Sequence, residues 1–192
     1  LSDTVAGQTI RFADDLSTPV LTTTANGYNL ELLGSSTSVT GNTTFLNTGS
    51  LVLGNAAADS LSFAGGLTAT APSAISAAGT VSTSNTAMSL GDSDTAITLT
   101  GDLTLNTAGG DLTLGGAVNG TAANTQSLTL NAASAGAVSV TGAVGQIVSL
   151  KTLTLANSNG ATFSSAVTTG TSVVLSDTVA GQTIRFADDL ST

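Results

Sequence analysis

The sequence predicts an all-β fold, a three-sided parallel β-solenoid with roughly 20–25 residues to each turn. The first observation behind this is composition. Hydrophobic residues make up 41% of the 192-residue chain, but aromatics only 3% and charged residues 8%. An average domain carries about 25% charge. The chain is too apolar for a solvated disordered segment, while Thr, Ser, Val, Asn and Gly are mediocre to poor helix formers. The second observation is a recurring apolar–polar–apolar triplet, the mark of a strand with one buried face. The third is that these triplets return at regular intervals with turn residues between them.

The triplets are Leu30/Leu32, Leu51/Leu53, Leu61/Phe63, Met88/Leu90, Ile97/Leu99, Leu103/Leu105, Leu112/Leu114, Leu128/Leu130, Val138/Val140 and Leu153/Leu155. A further apolar residue often follows six positions on, as Leu67 follows Leu61 and Val118 follows Leu112. Each turn therefore has three inward stations: Leu51–Leu61–Leu67, Leu103–Leu112–Val118, Leu128–Val138–Val144, Leu153–Phe163–Val167 and Val173–Ile184–Leu190. No single turn buries its apolar face alone, so stacking is obligatory. Asn-Gly at 26–27, 119–120 and 159–160, and Gly-Gly at 65–66, 109–110 and 115–116, supply corners, because both pairs accept positive φ cheaply. Pro19 and Pro72 each remove a ladder donor, so looser turns are expected at 19–29 and 69–87.

The segment LSDTVAGQTIRFADDLST occupies residues 1–18 and returns unchanged at 175–192. The chain reads as one 174-residue tandem unit followed by the start of the next, all of residues 1–192 forming one continuous solenoid segment. Identical segments in one continuous core are expected to occupy equivalent stations, with Ile10/Phe12 matching Ile184/Phe186 and the two copies related mainly by a translation along the axis.

Charge and residue types exclude several classes of function. Arg11, Lys151 and Arg185 are the only basic residues against a net charge of −9, so no basic footprint for nucleic acid can be assembled. The absence of Cys rules out disulfides and thiolate metal sites, and the absence of His removes the usual general base. No apolar run reaches the roughly 18 residues that would span a bilayer, so no membrane insertion is expected in this segment. The expectation is a non-enzyme without cofactor.

Two sets of residues are candidates for a site. Asp102 and Asp111 stand nine apart in GDLTLNTAG and GDLTLGGAV, and Asp92 and Asp94 flank one residue in GDSDTA. The nine-residue Asp-x-Leu step resembles calcium-binding nonapeptide repeats, but the glycines those repeats require before the Asp are missing at Asp102. The simpler expectation is that each Asp caps a turn and that no metal is held. Asp14–Asp15 and Asp188–Asp189 follow Arg11 and Arg185, which suggests a local ion pair. The second set is an outward threonine array of Thr98, Thr100, Thr104, Thr113, Thr129, Thr152 and Thr154, interrupted by Ser62, Ser89 and Ser139. Such Thr ladders resemble the hydroxyl–methyl lattices of ice-binding solenoids, although Thr is also a favoured outward residue of any strand.

Runs such as GDLTLNTAGGDLTLGGAVNG, QSLTLNAASAGAVSVTGAVG and KTLTLANSNGATFSSAVTTG resemble the repeat regions of very large bacterial surface and secreted adhesins, filamentous-haemagglutinin-like exoproteins and autotransporter passengers. The resemblance covers nearly the whole chain in style and periodicity. It implies a right-handed parallel β-helix, export across the outer membrane to an extracellular or cell-surface location, and a role as stalk or filament. The expected partners are neighbouring repeats of the same chain stacked end to end, with like fibres or a cell surface beyond them. The alternative is a binding module, either for ice through the outward Thr array or for calcium-dependent glycan or cell adhesion.

Overall fold

The computed structural model of the protein describes residue 1, residues 5–176 and residues 178–192. Residues 2–4 of the first copy and Asp177 of the second lie outside that description. All regular structure among the described residues is strand, and the twenty strands form one 13-stranded and one 7-stranded sheet. Every ladder is parallel. Parallel pairing of consecutive short strands needs a full excursion of chain between partners. Here that excursion is one turn of a β-solenoid.

The ladders define three faces. On the first, Ile10, Leu30, Leu51, Ile75, Ile97, Val118, Val144, Val167 and Leu190 succeed one another at intervals of 20 to 26 residues, which makes eight turns. The second face carries the column Leu16, Thr37, Leu61, Val81, Leu105, Leu130, Leu155 and Leu175. The third consists of the seven strands Thr43–Thr44, Leu67–Ala69, Met88–Leu90, Leu112–Leu114, Val138–Val140, Ala161–Phe163 and Ile184–Phe186. Strands such as Ala74–Ser82 and Ala96–Asn106 bend through the corner between the first and second faces, so those two faces share one sheet.

Alternation decides what is inside. In the triplets Leu51/Leu53, Leu112/Leu114 and Leu128/Leu130 both apolar members are buried while the middle residue is half-exposed. The interior is therefore a set of aliphatic columns running through the stack, each fully buried leucine contributing about 1.5–3 kcal/mol. Aromatic rings extend the columns. Phe45 meets Phe63 edge-on with centroids 5.8 Å apart, and Phe163 stacks on Phe186 at 4.7 Å.

Three expectations need correction. The station series do not share one phase: Leu51 begins its turn on the first face, whereas Leu103 lies on the second and Val118 on the first face of the next turn. A six-residue step occurs at every corner: Ile75 to Val81 (first to second), Leu61 to Leu67 (second to third) and Leu112 to Val118 (third to first). Spacing alone does not say which corner is being turned. The stretch 69–87 is regular, with Ala74–Ser82 pairing strands on both sides. Its corner is tight enough to need small residues: Ala77 and Ala78 are fully buried, and Gly79, at φ +84°, lies where a Cβ would collide with the Asp59 carbonyl oxygen. At 19–29 the expectation holds. No strand forms between Leu16–Thr18 and Asn29–Leu32. Finally, Asn119–Gly120 is no turn but the end of the strand Ala117–Gly120.

Candidate functional site

Among the described residues no cavity opens into the stacked core, so what the solenoid presents is its outward rows and its corners. Parallel in-register pairing stacks the middle residue of each triplet on its counterpart one turn away, about 4.8 Å off. On the third face this builds one unbroken column of hydroxyls, Thr44–Thr68–Ser89–Thr113–Ser139–Thr162, which Arg185 then closes. The second face carries Ser36–Ser60–Thr80–Thr104–Thr129–Thr154 beside the row Ser62–Ser82–Asn106–Asn131–Asn157. The first face is mixed: Arg11, Glu31, Val52, Ser76, Thr98 and Asn119.

The threonine array read from the sequence is thus divided among faces. Thr104, Thr129 and Thr154 share one column, and Thr152 stands beside it facing Ser172. Thr98 is on the first face and Thr113 on the third. Thr100 leaves the array, its hydroxyl donating to the Ala77 carbonyl at a corner. Ser89 and Ser139, which interrupt the array in sequence, are members of the same column as Thr113. That third-face column was hidden because its members lie a full turn apart. The signal that finds it is the middle residue of every triplet taken face by face.

Several acidic and amide side chains hydrogen-bond at the corners. Asp102 accepts the backbone N–H of Ser127 at 2.8 Å and Asp111 that of Ala137 at 2.9 Å, each bond reaching one turn ahead. Asp15, Asn29 and Asn119 make the same link, to Ser36, to Ser50, and to Ile147 and Val148. A backbone donor that the corner would leave without a strand partner is satisfied this way. Asp102 enters the second face and Asp111 the third, so the two carboxylates serve separate corners. Asp92 accepts the Thr95 hydroxyl at 2.8 Å and the Asp94 N–H at 3.1 Å within its own turn. These donors, the Thr95 hydroxyl first, hold its carboxyl below the usual range.

Among the described residues no group of three or more acidic side chains converges and no cleft opens. The one ion pair among them joins Arg11 to Glu31, one turn away on the first face, rather than to Asp14 or Asp15. The Glu31 carboxylate pushes the Arg11 guanidinium further above its ordinary range. Asp14 instead accepts the N–H of Asp15, and Asp15 reaches Ser35 and Ser36.

Comparison with protein-family models, with curated proteins and with solved structures finds no match.

What remains for chemistry is the outer surface. It offers hydrogen-bonding columns at fixed axial spacing and a sparse negative charge. Val174, Leu175 and Leu190 are exposed at one end, Val5 and Val20 at the other.

Proposed function

We propose that this chain is a structural, non-catalytic module of a long extracellular bacterial fibre or adhesin stalk, whose partners are neighbouring repeats stacked end to end. The observation that carries the reading is the pairing of residues 9–18 with the turn of chain laid directly on them. Thr9–Phe12 and Leu16–Thr18 form the floor on which Asn29–Leu32 and Ser36–Val39 are built. In the second copy the corresponding strands, Ile184–Phe186 and Leu190–Ser191, pair with the preceding turn one face round, at the other end of the stack, with Leu190 exposed. A following unit finds there the surface its own sequence is made to cover. The repeat-region resemblance supports the bacterial surface location, and the acidic, Cys-free composition suits an exported chain kept soluble by its charge.

Chains of one, two and three units, visualised by negative-stain electron microscopy, test the proposal. A fibre module lengthens in proportion to unit number at constant width. Beads on a string, or compact particles, refute it.

A second reading rests on the unbroken third-face column. Six hydroxyls on consecutive turns form a regular row suited to an ordered hydroxylated or ice surface. Inhibition of ice recrystallisation that is lost on Thr113→Lys, with the melt unchanged, would favour it over a purely mechanical role. For calcium-dependent adhesion the test is a chelator added during thermal unfolding.

A further inference from the structure

Residues 5–15 and their copies 179–189 share the same local geometry on different faces. In the first, Gln8 N–H donates to Val5 O at 3.0 Å; in the second, Gln182 N–H donates to Val179 O at 3.0 Å. Gly7 and Gly181 have φ +79° and +85°. Asp14 accepts the Asp15 N–H at 2.8 Å, and Asp188 accepts the Asp189 N–H at 2.9 Å. Turn and corner conformation therefore travel with the sequence.

Placement does not. Ile10 and Phe12 pair with Leu30 and Leu32 on the first face, whereas Ile184 and Phe186 pair with Ala161 and Phe163 on the third. Leu16 opens the second face, but Leu190 pairs with Val167 on the first. Leu1 bonds to Thr22 and Thr24, which flank Thr23, and Thr23 lies one turn below Thr44 of the third face, while Leu175 pairs with Leu155 on the second. All three comparisons give the same displacement of one face backwards. The copies, expected to be related mainly by a translation, are thus related by a translation and a rotation of one face. Its cause is the six-residue corner, which fits any of the three edges. The step Ile10 to Leu16 turns the first-to-second edge, and the identical step Ile184 to Leu190 turns the third-to-first. From Ile10 to Leu190 is eight turns, so 174 residues make eight turns less one face.

Resting on the fibre reading above, we infer that the partner covering residues 175–192 is the segment equivalent to 19–39 of a second copy of this unit, seated one face round. Arg185, which stands above Thr162 at the end of the third-face hydroxyl column, then meets Glu31 of that copy, as Arg11 meets Glu31 within the unit. Asp189 receives its Ser36 N–H, as Asp15 does here. The consequence is a surface that rotates. A hydroxyl column runs along one face for one unit, passes through the Arg–Glu pair, and continues as the mixed row of Glu31, Val52, Ser76, Thr98 and Asn119. The same face recurs after three units, which is 23 turns or roughly 110 Å at about 4.8 Å per turn. Lateral partners that read one face would bind at that interval.

The chain has no Cys, so labels can be placed at will. The test uses the 192-residue chain extended in frame by a second copy of residues 19–192, spin-labelled at Thr162→Cys and at Glu31→Cys of the added copy. The two sites should lie two turns apart in one column, about 10 Å. A control pair, Thr168→Cys with the same Glu31→Cys, should be clearly further apart. A close control pair with a distant test pair overturns the rotation while leaving the fibre intact. If the extended chain fails to lengthen by roughly 37 Å in small-angle scattering, the fibre reading fails, and the inference with it. In the 192-residue chain itself, strong dipolar broadening between Thr162→Cys and Arg185→Cys is expected. Its appearance instead between Thr168→Cys and Arg185→Cys would overturn the phase assignment without reference to any second unit.

Discussion

Leu130→Ala is the most informative core substitution. Leu130 is fully buried in the middle of the second-face column, between Leu105 and Leu155 one turn to either side. Truncation removes three carbons, about 2.4 kcal/mol at ~0.8 kcal/mol per buried methylene. It also leaves a cavity that cannot close easily, because the neighbouring leucines are pinned at strand spacing by their own ladders. With the cavity contribution the expected loss is about 3–5 kcal/mol. Thr129, next to it in sequence, is half-exposed and points outward, so Thr129→Ser should cost no more than about 1 kcal/mol. Leu190→Ala, at a residue 47% exposed in the last turn, should cost under about 1.5 kcal/mol. Urea unfolding followed by circular dichroism gives all three. The slope must be read with the midpoint, because each turn touches only its neighbours and one side of the stack can fray first. Equal losses for Leu130→Ala and Thr129→Ser would mean that the inside and outside rows are out of register by one residue.

Other outcomes concern the corners. Gly79→Ala should lose about 2 kcal/mol or more in urea unfolding, from left-handed backbone strain plus the collision with the Asp59 carbonyl. Gly7→Ala, with the same sign of φ but open space around it, should lose only about 1–2 kcal/mol. Asp102→Ala removes the acceptor for Ser127 N–H at an exposed corner and should cost roughly 0.5–1.5 kcal/mol. A chelator should leave the thermal midpoint of the unsubstituted chain unchanged, and a sharp drop would restore a calcium role for Asp102 or Asp111. Because the folded-state pKa of Asp92 is lowered, its contribution is present above the ordinary carboxylate value near ~3.9 and fades as pH falls through that value towards the folded pKa. Asp92→Asn should therefore flatten the acid limb of a stability–pH profile and leave the neutral region little changed.

Much of this architecture was legible because period-2 alternation is a local signal. Every triplet singled out in the sequence has both apolar members buried, whereas Asp102 lies inside the strand Ala96–Asn106 and bonds, like Asp111, to a backbone N–H one turn ahead, a partner that local spacing does not show. What was hidden is relational. The six-residue step is shared by all three edges, so neither the phase of the station series nor the displacement of the repeated segment shows in spacing. Arg11 finds Glu31 twenty residues away, although Asp14 and Asp15 are nearer in sequence, because a neighbour in a solenoid is one turn off. The stretch at 74–82 looks weak because alanine and glycine carry no apolar pattern, yet a tight corner wants small side chains. Thr98, Thr104 and Thr113 look like one array in sequence and belong to three faces.

The stack itself is tested most directly by distances along the third-face column. Spin labels at Thr44→Cys paired in turn with Ser89→Cys, Thr113→Cys, Ser139→Cys and Thr162→Cys sample separations of two, three, four and five turns. A parallel solenoid gives distances that grow by about 4.8 Å per turn, to roughly 24 Å for the last pair. A series that levels off or reverses would mean that the chain folds back on itself, and the single parallel stack would be wrong.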